Sequence, residues 1–265
     1  ALSPSQGVGS ADETDFLKPN QQFPSVDGQR SIQVYLARMR EALEDYKSVA
    51  GDVHPADLAY GPFHTPYPGM VRKAAVLAYR NTIRGTDLET EIADEIGTQP
   101  LPEDFETEED YNEAIRSYTD RLAETEQYRE WYDTRIDPTL RISSHVGNWY
   151  TGSVHLARLS ALLDAFEKDR EMIGEELLVG SYGSGAQAEI HAETVQAGWR
   201  AEIEALNIES QLDDRYELSF EEYERIHDAH NHDIDADIEP LTTPSGEFAF
   251  DGWGPMGERQ YRFVE

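Results

Sequence analysis

Val154-His-Leu-Ala-Arg-Leu-Ser-Ala-Leu-Leu-Asp-Ala-Phe166, followed by Glu176-Leu-Leu-Val-Gly-Ser181-Tyr-Gly-Ser-Gly185, decides how this chain reads. In the first stretch Val154, Leu156, Leu159, Leu162, Leu163 and Phe166 leave almost no polar face, which predicts a helix buried nearly all round. The second is an apolar run of strand length that delivers a glycine-rich turn. Working outward, helices and strands alternate, so the fold class is α/β.

Upstream, Ile32, Leu36, Met39, Leu43 and Tyr46 recur every three or four residues and predict a helix from Ser31 to just before Gly51. Asp57 to Gly61 reads as a short buried strand running into His64, and Pro66 and Pro68 hold the chain extended after it. A helix from about Gly69 to Arg80 follows, then a connection over 96–106 rich in Pro, Gly and acids. Phe105 to Glu130 reads as one long helix with a solvated acidic face. Downstream, Gln187–Thr194 and Ala197–Ala201 are expected as strands. Ser219-Phe220-Glu221-Glu222 is a capping box opening a helix to about His230, and aromatics between Phe248 and Val264 predict edge strands. Residues 1–30, rich in Ser, Gly, Pro and Gln, are expected to be an irregular lead-in with one short strand at most. Residues 31–265 are expected to form one domain.

The charge narrows the functions. Net charge is −31, with four lysines against eighteen arginines, and the acids are spread along the whole chain. A diffuse acidic surface suits high salt, which screens the self-repulsion of so charged a fold. The expectation is a halophilic cytoplasmic protein. Nucleic acid and anionic membranes are disfavoured partners, since both need basic patches. No apolar run is long enough to span a bilayer. The sequence holds no cysteine, which excludes disulfides and thiolate metal sites. Its start at Ala1 in a loop-like stretch suggests a piece of a longer chain.

Three uncharged islands carry the chemistry: Phe63-His64-Thr65-Pro66-Tyr67, Val146-Gly-Asn148-Trp-Tyr150-Thr-Gly-Ser153, and Ser181-Tyr-Gly183-Ser184-Gly185. They supply an imidazole, a carboxamide and a turn whose glycines let backbone N–H groups approach a ligand, the parts that handle a carbonyl group. Taken singly, each has a plain structural reading: a lone histidine in a core, an asparagine at a helix cap, a turn that fits neither a dinucleotide fingerprint nor a nucleophile elbow. The His227-Asp-Ala-His230-Asn-His232-Asp233 cluster, with Asp235 and Asp237, reads as a helix end followed by an acidic loop in preference to a metal site.

Taken together, the islands resemble, in order, content and spacing, the C-terminal half of the hydroxymethylglutaryl-CoA synthases. Phe16-Leu17-Lys18-Pro19 and Phe23-Pro24-Ser25-Val26-Asp27-Gly28 also look like that family. The resemblance runs from about residue 14 to 190 and more loosely beyond. It implies the second half of a thiolase-like αβαβα layered fold with additional helices. It implies condensation of acetyl-CoA with acetoacetyl-CoA on the way to mevalonate. No cofactor is implied, because the CoA thioesters are substrates.

By the same resemblance His64 matches the histidine that binds and polarises the acetoacetyl thioester. Asn148 matches the asparagine near the acyl groups, Ser184 and Gly183 match the turn lining the acyl site, and Tyr150 matches a tyrosine of the pocket. Arg72 and Lys73 match the basic helix that meets the CoA phosphates. The family often has a lysine five residues after the histidine, where this chain has Gly69. The family's nucleophilic cysteine and acid/base glutamate lie in its N-terminal half, so the implied partner is an N-terminal portion carrying both. The complete enzyme is implied to be a homodimer. Two other readings stand beside this one: another acyltransferase of the thiolase superfamily, and a cysteine-free relative that only binds acyl-CoA or supports a partner subunit.

Overall fold

The computed structural model describes residues 2–17, 25–51, 53–54, 57–232, 245–253 and 259–265. Two compact units emerge, Ala1–Ile208 and Glu209–Glu265. In chain order the first contains strands β1 (Leu2–Ser10), β2 (Phe16–Leu17) and β3 (Ser25–Val26), then helices α1 (Gly28–Ala50), α2 (Pro68–Thr82), α3 (Asp87–Ile96), α4 (Glu108–Leu122), α5 (Glu126–Arg135), α6 (Arg141–Val146) and α7 (Ser153–Glu167). Strands β4 (Glu176–Gly183) and β5 (Gln187–Thr194) and helix α8 (Trp199–Leu206) follow.

The sheet has the order β1-β5-β4, antiparallel throughout. Its side chains alternate with the two-residue period of a strand. On β4, Leu178 and Tyr182 join Ala188, Ile190 and Ala192 of β5 in a core shared with α1 and α2. Leu177 and Val179 point the other way, into a core with Val154, Ala161, Leu163 and Ala165 of α7 and with Trp199 and Ile203 of α8. The sheet is thus covered by helices on both faces, which is why β4 reads as an unbroken apolar run rather than an alternating one.

The expected strand at 57–61 is instead an extended segment that runs parallel to β4, with bridges Tyr60–Leu177 and Phe63–Gly180. Four backbone hydrogen bonds hold it: Ala59 N to Glu176 O, Leu178 N to Tyr60 O, Gly180 N to Pro62 O and His64 N to Gly180 O, all between 2.7 and 3.1 Å. Pro62 has no N–H to give, and only its carbonyl enters the ladder.

Several expectations need correcting. Leu2–Ser10, taken as irregular for its Ser and Gly content, is a nine-residue strand. Its glycines serve a close approach: a Cβ on Gly7 would lie 2.2 Å from both the Ala42 carbonyl and the Tyr46 nitrogen of α1. The single helix expected over 105–130 is two, because Thr107 and Thr125 each cap a new helix by accepting a backbone N–H, from Asp110 and Tyr128. Helix α3, which the sequence reading left unassigned, lies before them. Ala197–Ala201 is not a strand; Gly198, at φ +93°, turns the chain directly into α8.

In the second unit, Ser219 and Glu222 form the expected reciprocal capping box at the start of helix α10 (Phe220–His232). The short helix α9 (Ile208–Asp213) precedes it at the junction. Strands β6 (Phe248–Trp253) and β7 (Arg259–Phe263) pair antiparallel, as the alternating aromatics predict. Asp233, Asp235 and Asp237 of the possible metal cluster lie outside the described residues, as do Lys18, Pro19, Phe23 and Pro24 of the family-like motifs. Among the described residues no group of His and acidic side chains is arranged to hold a metal ion, and no helix is long and apolar enough to cross a membrane.

The contact between β1 and α1 gives a stability test. Gly7→Ala should lower the urea midpoint by a loss at or above the upper end of the ~1–3 kcal/mol typical of overpacking, because the new methyl meets backbone rather than a movable side chain. Gly28→Ala, whose Cβ meets nothing within 4 Å, should leave the midpoint nearly unchanged.

Candidate functional site

His64 ends the segment that runs along β4. Its amide donates to the Gly180 carbonyl at 2.7 Å, and its own carbonyl accepts from the hydroxyl of the fully buried Tyr35 at 2.8 Å. The imidazole is 6% exposed, and burial lowers its pKa to about 4, so the ring is neutral near pH 7. Nδ1 lies 2.8 Å from Ser153 Oγ. That hydroxyl also accepts from Thr65 N at 3.1 Å and donates to the Tyr150 carbonyl at 2.9 Å. Ser153 is the first residue of α7, so the first two islands are joined through one buried hydroxyl.

The third island arrives on β4. Tyr182 stands 5.0 Å from the Tyr35 ring, edge to face, and 5.9 Å from the His64 ring, centroid to centroid. Its hydroxyl donates to Asp15 Oδ2 at 3.1 Å. Burial is the main cause that pushes the Tyr182 pKa well above its ordinary value, keeping it a neutral donor. Asp15 is completely buried, and among the described residues nothing bonds its Oδ1. A buried carboxyl with one oxygen unbonded is costly and needs a reason. Sequence reasoning passed over Asp15, although it stands one position before the Phe16-Leu17-Lys18-Pro19 stretch.

A cavity of about 510 Å³ unites the parts: His64, Asn148, Tyr150, Tyr182, Gly183 and Ser184 all line it. Asn148 Oδ1 accepts from Tyr150 N at 2.7 Å, which leaves its Nδ2 hydrogens for the cavity. Tyr150 is 69% exposed and holds a left-handed backbone, φ +51°, rare for a bulky residue. Five of the seven residues singled out in the sequence therefore meet here. The other two do not. Arg72 and Lys73 are exposed on α2, and the Arg72 Nε donates to the Tyr132 hydroxyl at 3.3 Å, in a separate groove with Asp133 and Asp137.

His64 and Tyr182 also border a second cavity of about 410 Å³ on the α7 side. There His191 sits between Glu189 and Glu193, at 3.3 and 3.2 Å, and Arg158 pairs with Glu193 at 2.8 Å. The hydrogen bond to Glu193 raises the His191 pKa. The sequence signal for this group was the alternation of Glu189, His191 and Glu193 on one face of a strand.

Chemically, the larger cavity offers a neutral imidazole, an amide donor, a hydroxyl and a glycine-rich turn. That equipment binds and activates an acyl or carbonyl group. The chain carries no thiol to act on it.

The family model for the C-terminal part of hydroxymethylglutaryl-coenzyme A synthase matches residues 9–245. The hydroxymethylglutaryl-CoA synthase of Haloferax volcanii is 64% identical over 264 residues, covering all of this chain and 59% of its own length. The human mitochondrial hydroxymethylglutaryl-CoA synthase is 30% identical over 190 residues, covering 66% of this chain and 35% of its own length. Among solved structures, MvaS in complex with 3-hydroxy-3-methylglutaryl coenzyme A superimposes with a TM-score of 0.76 at 25% identity, over all of this chain and 58% of that one. The chain thus spans 59% of the length of the Haloferax relative and 35% of the human one, and its fold is the C-terminal half of the thiolase-like architecture. Family match, overall identity and the gathering of His64, Asn148 and the Ser181–Gly185 turn around one cavity agree: this chain belongs to the hydroxymethylglutaryl-CoA synthase family and corresponds to its C-terminal portion.

Proposed function

We propose that this chain is the acyl-acceptor half of a hydroxymethylglutaryl-CoA synthase, condensing acetyl-CoA with acetoacetyl-CoA and releasing CoA. The observation that carries this reading is the cavity that gathers His64, Asn148, Tyr150, Gly183 and Ser184. An N-terminal portion supplies the cysteine that carries the acetyl group and the glutamate that takes and returns its proton. The acetyl carbon then attacks the 3-keto carbon of acetoacetyl-CoA, and water cleaves the enzyme thioester. His64 contacts the acetoacetyl thioester, Asn148 stabilises charge developing on its oxygens, and Tyr150, Gly183 and Ser184 wall the acyl site.

Arg72 and Lys73 are outside the cavity, which suits the length of CoA: its pantetheine arm puts the phosphates far from the thioester. In a chain of net charge −31 a polyanion needs a cationic landing point. The product feeds mevalonate formation. The acidic composition and the Haloferax relative support a halophilic, archaeal, cytoplasmic enzyme. The complete enzyme is a homodimer.

The full-length protein in molar salt should turn over and release CoA continuously only when both thioesters are present, acetyl-CoA alone freeing about one equivalent per site as the cysteine is acetylated. His64→Ala should impair use of acetoacetyl-CoA far more than acetyl transfer to the cysteine, read as radiolabel retained on protein. Equal loss of both half-reactions would remove His64 from the acceptor site. Absence of any CoA release by the wild type would favour a non-catalytic acyl-CoA binder.

The proton state of His64 also sets a pH dependence. Its pKa falls from 6.5 unfolded to about 4 folded, so between those values the unfolded chain binds a proton that the folded one refuses. Stability is therefore unaffected above pH 6.5 and is lost as pH falls toward 4, by on the order of 3 kcal/mol in total. Urea midpoints between pH 7.5 and 4.5, at fixed salt, should fall less steeply for His64→Gln than for wild type. Parallel curves would mean that the folded protein protonates His64 freely.

A further inference from the structure

The segment from Asn148 to Ser153 fixes which way hydrogen bonds run in the cavity. Ser153 Oγ has one hydrogen and two lone pairs, and it makes three contacts: Thr65 N at 3.1 Å, His64 Nδ1 at 2.8 Å and the Tyr150 carbonyl at 2.9 Å. The Thr65 N–H must donate. If the serine hydrogen went to Nδ1, two oxygens 2.9 Å apart, Ser153 Oγ and Tyr150 O, would face each other with no hydrogen between them. If it goes to Tyr150 O, Nδ1 must carry the hydrogen of the remaining contact, and all three become bonds. Only the second arrangement places one hydrogen in each contact.

The geometry points to Ser153 as a positioning residue that holds neutral His64 in its Nδ1–H form, so that Nε2 meets the cavity as a hydrogen-bond acceptor. No described residue bonds Nε2, and it is not among the buried unpartnered atoms, so it is accessible from the space that the His64 ring borders. The same segment sets the opposite polarity opposite it. Tyr150 N–H engages Asn148 Oδ1 at 2.7 Å, which fixes the amide with its Nδ2 hydrogens available as donors. The left-handed Tyr150 residue thereby directs both groups, Asn148 through its N–H and His64 through its C=O and Ser153.

This inference deepens the proposed reaction and rests on its site. A carbonyl oxygen needs a donor, and in the resting protein the Asn148 Nδ2 group can be that donor whereas His64 is not. His64 enters as an acceptor, taking a proton or a hydroxyl hydrogen bond at Nε2. Protonation there leaves the Nδ1–Ser153–Tyr150 chain unchanged, because Nδ1 is already the donor, so the proton can be returned without rearrangement. The polarising role that the family resemblance implies for this histidine is thereby confined to the moment after Nε2 has gained a proton.

The test is the tautomer, read without turnover, so that it can fail while the proposed reaction stands, and the reverse. The full-length, ligand-free protein is labelled with ¹⁵N in the histidine rings, and long-range ¹H–¹⁵N correlation spectra are recorded near pH 7. His64 is assigned by the signals lost in His64→Gln. The expected pattern has a protonated Nδ1 and a bare Nε2. A protonated Nε2 in the wild type overturns the inference, and this spectrum alone decides that point. In Ser153→Ala, which removes the partner of Nδ1, the His64 signals should shift toward the Nε2–H pattern. If that variant folds and keeps the wild-type pattern, Ser153 does not set the tautomer.

Discussion

The hydrogen bond from the His64 amide to the Gly180 carbonyl, 2.7 Å long, ties the site to the fold. It closes the parallel pairing of residues 59–64 with β4, the strand that also ends in the Ser181–Gly185 turn. Two islands far apart in sequence are placed side by side by one ladder. The pairing is packed tightly at its centre: a Cβ on Gly180 would come within 2.6 Å of the Met39 methyl and 2.7 Å of the Phe63 ring, so these side chains would have to shift to admit one. The core beneath the site and the backbone that aims His64 are therefore one constraint.

Around that ladder the polar groups of the site are neutral. Burial keeps His64 unprotonated and pushes the Tyr35 and Tyr182 hydroxyls up, so that they stay protonated. The acids of the chain are mostly elsewhere, on exposed helix faces such as those of α3 and α4. A neutral cavity in a chain of net charge −31 needs this separation. Charged neighbours would move the imidazole pKa, whereas an uncharged wall leaves it set by desolvation. Acidic side chains approach the site in two places: Asp15, a buried carboxyl coupled to the cavity through Tyr182, and Glu189 and Glu193, which with Arg158 and His191 line the second cavity that His64 borders.

What was legible in the sequence follows from how local each signal is. The apolar run at 176–181 and the buried helix from Val154 were readable because burial on all sides leaves an unambiguous pattern. His64, Asn148 and the Ser181–Gly185 turn were readable as uncharged islands in an acidic chain. The glycines of β1 misled, since a close helix approach and a flexible loop write the same residues. The break between α4 and α5 was hidden because Thr125 interrupts a helical pattern by one capping bond, not by Gly or Pro. Asp15 was passed over, and Ser153 was read only as the end of the second island, since their partners Tyr182 and His64 lie 167 and 89 positions away in sequence.

The missing thiol fits the division of labour that the proposed function assigns. A nucleophile must be activated by charge or by a base, whereas an acyl-acceptor site must hold its ligand without reacting with it. A wall of neutral groups with fixed donor and acceptor directions does the second task well and the first poorly. The short segment from Asn148 to Ser153 supplies that fixity, because a backbone peptide cannot flip its hydrogen bonds as a free hydroxyl can. Tyr150 pays for it with a left-handed conformation at the cavity's rim. Strain placed there, and not in the core, sets the orientation of two groups that line the cavity, His64 and Asn148.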